Sequence, residues 1–219
     1  MNSPIIQILV LAAIAIFLIL RLRSVLGTRD GFEKPIAQVP PEEAKKRPDL
    51  EVIEGGPDRD ITDHVAEGSA TALILGEIKK AEPSFNLREF LTGARGAYEM
   101  ILMAFERGDI ESVRAFIAPQ VYDAFHAVIE ERKAKGLKIE ANFIGIRDIG
   151  LQDAAFDSQT REAELDVRFV AELTSVVRDA GGKVIEGADG AAKRQKDVWT
   201  FARKVGSDDP NWVLVATGG

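Results

Sequence analysis

The feature that most constrains this chain is a change of hydrophobic period at Gly136. From Asn86 to that glycine, apolar residues recur at three- and four-residue steps. After it they alternate. A period near 3.6 lays one apolar stripe along a helix, whereas a period of two turns every second side chain of a strand inward. The chain is therefore expected to place its helices first and its strands last.

The helical half carries its own punctuation. Ser69 opens "SATALILGEIKKAEP" as a cap and Pro83 stops it. Its apolar set, Leu73, Ile74, Leu75 and Ile78, covers more than one face and so calls for a core or a membrane. Asn86, with Glu89 three residues on, forms a capping box for the next helix. There Leu87, Leu91, Ala94, Tyr98, Ile101, Leu102 and Phe105 trace one stripe. Gly93, Ala94, Gly96 and Ala97 are small enough to admit a closely packed neighbour. Gly108 ends this helix, and Asp109 caps a short one. Pro119 opens a third, whose stripe is Val121, Tyr122, Phe125, Val128 and Ile129.

In the second half, "LKIEANFIGIRDIGL" alternates. "REAELDVRFVAELTSVVRD" puts Ala163, Leu165, Val167, Phe169, Ala171 and Leu173 on one face. "DAGGKVIEG" reads as a turn. "KDVWTFARKV" and "NWVLVAT" supply two further strands, with Trp199, Phe201 and Val205, then Trp212, Leu214 and Ala216, on one side. Between them, "DPNW" reads as the reversing turn. The layout is α+β: helices packed on one face of a four-stranded antiparallel meander.

The amino terminus is of another kind. Pro4 to Leu20 holds one polar residue, Gln7, and no charge. A membrane-spanning helix needs about 20 apolar residues, and this run sits at the low end. Ile5, Leu9, Leu11, Ile14, Phe17 and Leu20 are the expected anchor, with Arg21 and Arg23 reaching the headgroups. A cleaved signal would want basic residues before the run and a small-residue cleavage site after it; only the terminal amine precedes the run and "RLRSVLGTR" holds no Ala-x-Ala site, so a retained anchor is favoured. The flanking arginines then put the rest of the chain in the cytoplasm. The expected organisation is an anchor over 1–27, a flexible linker over 28–66, and a folded domain over 67–219. The linker is broken by prolines and spans about 35 Å as a coil. It contains His64, read as solvent-exposed.

Charge and composition exclude several functions. Residues 1–50 carry seven basic and five acidic side chains; the remainder carries 21 and 30, leaving residues 51–219 at −9 within a total of −7. Nucleic-acid affinity comes from Lys and Arg displacing counterions, so nucleic acid is set aside. Cysteine is absent and there are two histidines, so no metal centre and no cofactor are expected. The best enzymatic set is Asp123, His126 and Tyr98, in which the first two share a helix face. That spacing is weak grounds for proton-transfer chemistry, and no catalytic residue is assigned.

The segment "FLTGARGAYEMILMAFERGDIESVRAFIAPQVYDAF" and the late pair "DVWTFAR" and "DPNWVLVAT" resemble the Tim44-like domain family, over about Ser69 to Thr217. The resemblance implies a cone similar to the nuclear-transport-factor-two-like fold, with a hydrophobic pocket. It implies membrane association through Ser69–Lys80, and scaffolding instead of catalysis. The family's mitochondrial member tethers a chaperone to the import channel; this chain has its own span and lacks the long charged segment used for that. A bacterial inner membrane is the location favoured.

Leu73, Ile74, Ile78, Tyr98, Leu102, Phe125, Ile129, Phe169, Trp199 and Trp212 are the candidates for a pocket or partner surface, with plain core packing as the competing reading. The leading expectation is an anchored adaptor, possessing no enzymatic activity, that binds an inner-membrane protein or anionic lipid in protein transport or complex assembly. Two others stand beside it: a tethered enzyme acting on a small apolar substrate, and a structural protein that self-associates through Leu73–Ile78 and the sheet.

Overall fold

The computed structural model describes residues 56–218. The predicted span and most of the predicted linker lie outside these residues, and no described helix is long and apolar enough to cross a membrane. The order is α1 (Arg59–Thr62), α2 (Ala70–Ala81), α3 (Leu87–Arg107), a 3-10 helix (Ile110–Phe116) and α4 (Pro119–Ala134). Strands β1 (Lys138–Asp157), β2 (Glu162–Arg178), β3 (Val184–Lys204) and β4 (Val213–Gly218) follow. They form one antiparallel sheet in the order β1-β2-β3-β4.

The helix ends follow from local chemistry. Ser69 Oγ accepts from Ala72 N at 3.1 Å and Asn86 Oδ1 accepts from Glu89 N at 2.9 Å. Each satisfies a backbone donor that the first helical turn leaves unpaired. Gly108 closes α3 in the left-handed region at φ 74°, where a side chain is disfavoured. Asp109 does not cap through its side chain; its carbonyl accepts from Ser112 Oγ at 2.7 Å instead.

Part of the segment expected as linker is folded onto the domain. Ile61 of α1 is buried in the core. Asp60 Oδ2 accepts from Leu87 N at 2.7 Å and Oδ1 from Arg88 N at 3.1 Å, and Lys79 Nζ lies 2.7 Å from Asp60 Oδ2. One carboxylate thus caps α3 and pairs with α2. His64 is half-buried, not exposed, with Nε2 enclosed and without a partner.

The alternation in β2 is realised residue by residue. Ala163, Leu165, Val167, Phe169 and Ala171 are fully buried against the helices. The opposite face carries the ion pairs Arg168–Asp148 at 2.6 Å and Arg147–Glu172 at 2.6 Å. A surface pair such as Arg168–Asp148 contributes at most about 1 kcal/mol. Burial of each large apolar side chain contributes about 1.5–3 kcal/mol, so the inner face holds the layers together. At its centre Tyr98 stacks on Phe169, ring centroids 4.3 Å apart, and lies 4.6 Å from Trp199.

β3 is longer than the sequence pattern suggests, because Gly187 lets it continue through a bulge. Its φ is 77°, and a Cβ there would stand 2.1 Å from the Ser175 carbonyl oxygen. Edge strand β1 shifts register at Phe143/Gly145, Ile146/Asp148 and Leu151/Asp153, which blunts it against pairing with another chain. The other edge, β4, is covered where Ala118 N donates to Leu214 O at 2.8 Å.

Candidate functional site: a groove along α3

The inward stripe of α3 leaves its flank with small side chains. Gly93, Gly96 and Ala97, with Thr92 and Met100, form one wall of a cleft of about 610 Å³. A Cβ built on Gly93 or Gly96 would meet nothing within 4 Å, so this wall is open. The facing side comes from Phe116 at the end of the 3-10 helix and from Pro210, Asn211 and Trp212 of the β3–β4 turn. Asp209 Oδ1 holds that turn by accepting from Asn211 N at 2.9 Å.

The floor is aromatic. Phe90 lies 4.7 Å from Trp212 and 6.1 Å from Phe201, and Phe85 lies 6.0 Å from Trp212. Tilted and edge-on rings at such separations attract through their quadrupoles as well as by burial. One end is closed by charge. Arg203 is bonded to Glu82 through Nη2 and donates to Pro210 O from Nη1 at 3.3 Å. Its guanidinium stands 5.4 Å from the Trp212 ring centroid, and its Nε is buried without a partner. Burial works to raise the Glu82 pKa, but Arg203 and the Gly206 N–H outweigh it and hold the carboxyl below its ordinary range. A cleft with an apolar floor, a side wall of small residues and a charged end suits an elongated apolar guest.

The sequence candidates are dispersed. Ile78, Tyr98, Leu102, Ile129, Phe169 and Trp199 are buried in the core. Ile74 and Phe125 are half-buried against it, and Leu73 is 65% exposed on α2. Trp212 is the one candidate lining this cleft; it sits just before β4, not within it. Phe85, Phe90, Met100, Phe116 and Arg203 were missed. The run of small residues in α3 was their signal, since an open helix flank needs a neighbour.

Tyr98, Asp123 and His126 are not brought together. Tyr98 is fully buried and donates to Asp197 Oδ2 at 2.5 Å. Burial first, then Asp197, pushes its phenol well above the ordinary range, so it keeps its proton. Asp123 and His126 lie exposed on α4, where the His126 ring stacks on Tyr122 with centroids 5.7 Å apart.

Helices on one face of a four-stranded meander, with a lateral aromatic-floored groove, define an α+β domain with a cleft between its helical and sheet layers. The chain belongs to the Tim44-like domain family, whose model matches residues 71–219. It is 26% identical over 131 residues to the human mitochondrial import inner membrane translocase subunit TIM44, covering 59% of this chain and 28% of that protein. It is 26% identical over 146 residues to the Caenorhabditis elegans probable mitochondrial import inner membrane translocase subunit tin-44, covering 65% and 34%. The chain thus spans about a third or less of these relatives' length. The intermembrane space region of the chloroplast protein ARC6 aligns at 10% identity with a TM-score of 0.39, over 58% of this chain and 94% of that one, a likeness too low to carry any inference.

Proposed function

We propose that this protein is an adaptor anchored in a bacterial inner membrane by residues 1–27, with its Tim44-like domain in the cytoplasm. Residues 28–66 supply the reach from the bilayer, apart from the α1 portion that is folded onto the domain. The domain acts as a cone-like holder in the nuclear-transport-factor-two-like manner, receiving an apolar segment of another inner-membrane protein along α3. It serves protein transport or assembly of a membrane complex, and not catalysis.

The observation that carries this reading is the unfilled flank of α3. A 21-residue amphipathic helix buries Leu87, Leu91 and Tyr98 on one side, yet leaves Gly93, Gly96 and Met100 beside an aromatic floor. Apolar area left beside water favours a partner that covers it, by about 25 cal/mol for each Å² removed. The relatives' names, as subunits of an inner-membrane translocase, support the setting.

The test is purification of the full chain from native membranes in mild detergent, beside Gly96→Trp. The indole enters the groove from its open wall, where nothing stands within 4 Å of a Cβ at Gly96. A membrane protein recovered reproducibly with the native chain and lost with the variant is the expected result. Equal recovery with both contradicts it. Loss of bound lipid alone assigns the groove to an acyl chain.

A further inference from the structure

At the carboxyl end of α3 lies a second cleft, of about 260 Å³, separate from the groove. It is walled by Phe105–Gly108, by Ile129, Arg132 and Lys133 of α4, and by Leu137, Lys138 and Ile139 where β1 begins. Four of its side chains are cations, Arg107, Arg132, Lys133 and Lys138, against one acid, Glu106. This stands out in a chain whose residues 51–219 carry 30 acids against 21 bases.

The cations are not spent on one another's neighbours. Lys133 pairs with Glu130 at 2.9 Å, but among the described residues Arg107, Arg132 and Lys138 have no ion pair or side-chain hydrogen bond. Arg132 is the informative one. Its guanidinium carbon stands over an apolar support, 4.3 Å from the Phe105 ring centroid, and its Nη1 is buried without a partner. An enclosed N–H donor left unmatched is costly, and a guanidinium offers five donors in a fixed fork. Glu106 does not supply the missing acceptor. Burial raises its pKa against the pull of Arg132 and Lys193, Glu186 adds to the rise, and the carboxyl forms no ion pair.

We propose that this cleft binds a phosphoryl oxyanion, with Arg132 as the receiving fork and Arg107 and Lys138 as flanking charges. A guanidinium fork matches phosphate oxygens two at a time. The volume suits a phosphoryl group and falls below the range typical of larger ligands. Helices α3 and α4 both end here, and their carboxyl ends repel an anion; each end is equivalent to only about half a charge, which the free cations exceed. The phosphoryl group is either free phosphate or a lipid headgroup, and Arg132 would serve both in the same way.

The test uses the full chain in nonionic micelles at constant ionic strength. Equilibrium dialysis with radiolabelled inorganic phosphate reads the free ion. Displacement of that label by phosphatidylglycerol doped into the micelles, or retention of that lipid over phosphatidylcholine in native mass spectra, reads the headgroup. Saturable binding that weakens about tenfold in Arg132→Gln is expected. Glu106→Gln removes the one acidic charge of the cleft and tightens binding severalfold, which serves even if the Arg132 variant folds poorly. Phosphate binding that phosphatidylglycerol does not displace assigns the free ion; displacement, or lipid retention without phosphate binding, assigns the headgroup. Binding of neither, or binding indifferent to both substitutions, overturns the proposal.

Discussion

Tyr98 of α3 donates its phenolic hydrogen to Asp197 of β3 at 2.5 Å, joining helix to sheet across 99 positions. Gln195 Nε2 donates to the other Asp197 oxygen at 3.1 Å. The carboxylate is therefore held by one donor from each layer. Tyr98→Phe keeps the ring stack on Phe169 and removes one donor from a half-buried carboxylate, for a loss of about 1–3 kcal/mol. Tyr98→Ala also opens a cavity and costs about 3–5 kcal/mol. Urea unfolding of both variants separates the hydrogen bond from the packing.

Asp60 governs acid stability at the domain's entrance. Burial works to raise its pKa, but Lys79 and the Leu87 and Arg88 N–H donors outweigh it, so its folded value lies below the unfolded one. A depressed carboxylate contributes stability that is present above its unfolded pKa and lost as pH falls through the folded value. Asp60→Ala is expected to cost about 1–2 kcal/mol at neutral pH, as loss of a helix cap does. Its deficit relative to the native chain should shrink below about pH 4. A deficit constant from pH 7 to pH 2 contradicts this assignment.

Gly96 distinguishes function from folding. Nothing would meet its Cβ, and alanine in a helix interior is favoured over glycine by about 1 kcal/mol. Gly96→Ala should raise the melting temperature, whereas Gly96→Trp should leave folding intact and block the groove. Differential scanning calorimetry reads the first effect and partner recovery the second.

Gly187 behaves oppositely. Its Cβ would collide with the Ser175 carbonyl oxygen, and its φ is positive. Gly187→Ala should destabilise by about 1–3 kcal/mol, seen first as faster amide exchange in the β2–β3 hairpin.

The layers were legible because single-residue cues agree with the periods: Ser69, Asn86, Gly108 and Pro119 bound the helices where expected. Ala163 to Leu173 point inward as their alternation requires. The length of β3 was hidden because "VIEG" looks like a turn until Gly187 is seen in a bulge opposite Val176. Inclusion of α1 was hidden because its main tie is one carboxylate meeting two N–H groups 27 and 28 residues away. The groove was illegible for the same reason on a larger scale. Phe85, Gly93, Phe116, Arg203 and Trp212 come from separate segments, and no period links them. Residues singled out for size, such as Phe169 and Trp199, went where large rings are best buried.

The most direct measurement is site-specific photo-crosslinking of the full chain in native membranes. A benzoylphenylalanine at Gly93, Gly96 or Met100 faces the groove, and one at Glu164 or Arg168 stands on the solvent-exposed strand positions as a control. One membrane protein captured from all three groove positions and from neither control is the predicted result. Capture that is equal on both surfaces, or absent from the groove, contradicts the account.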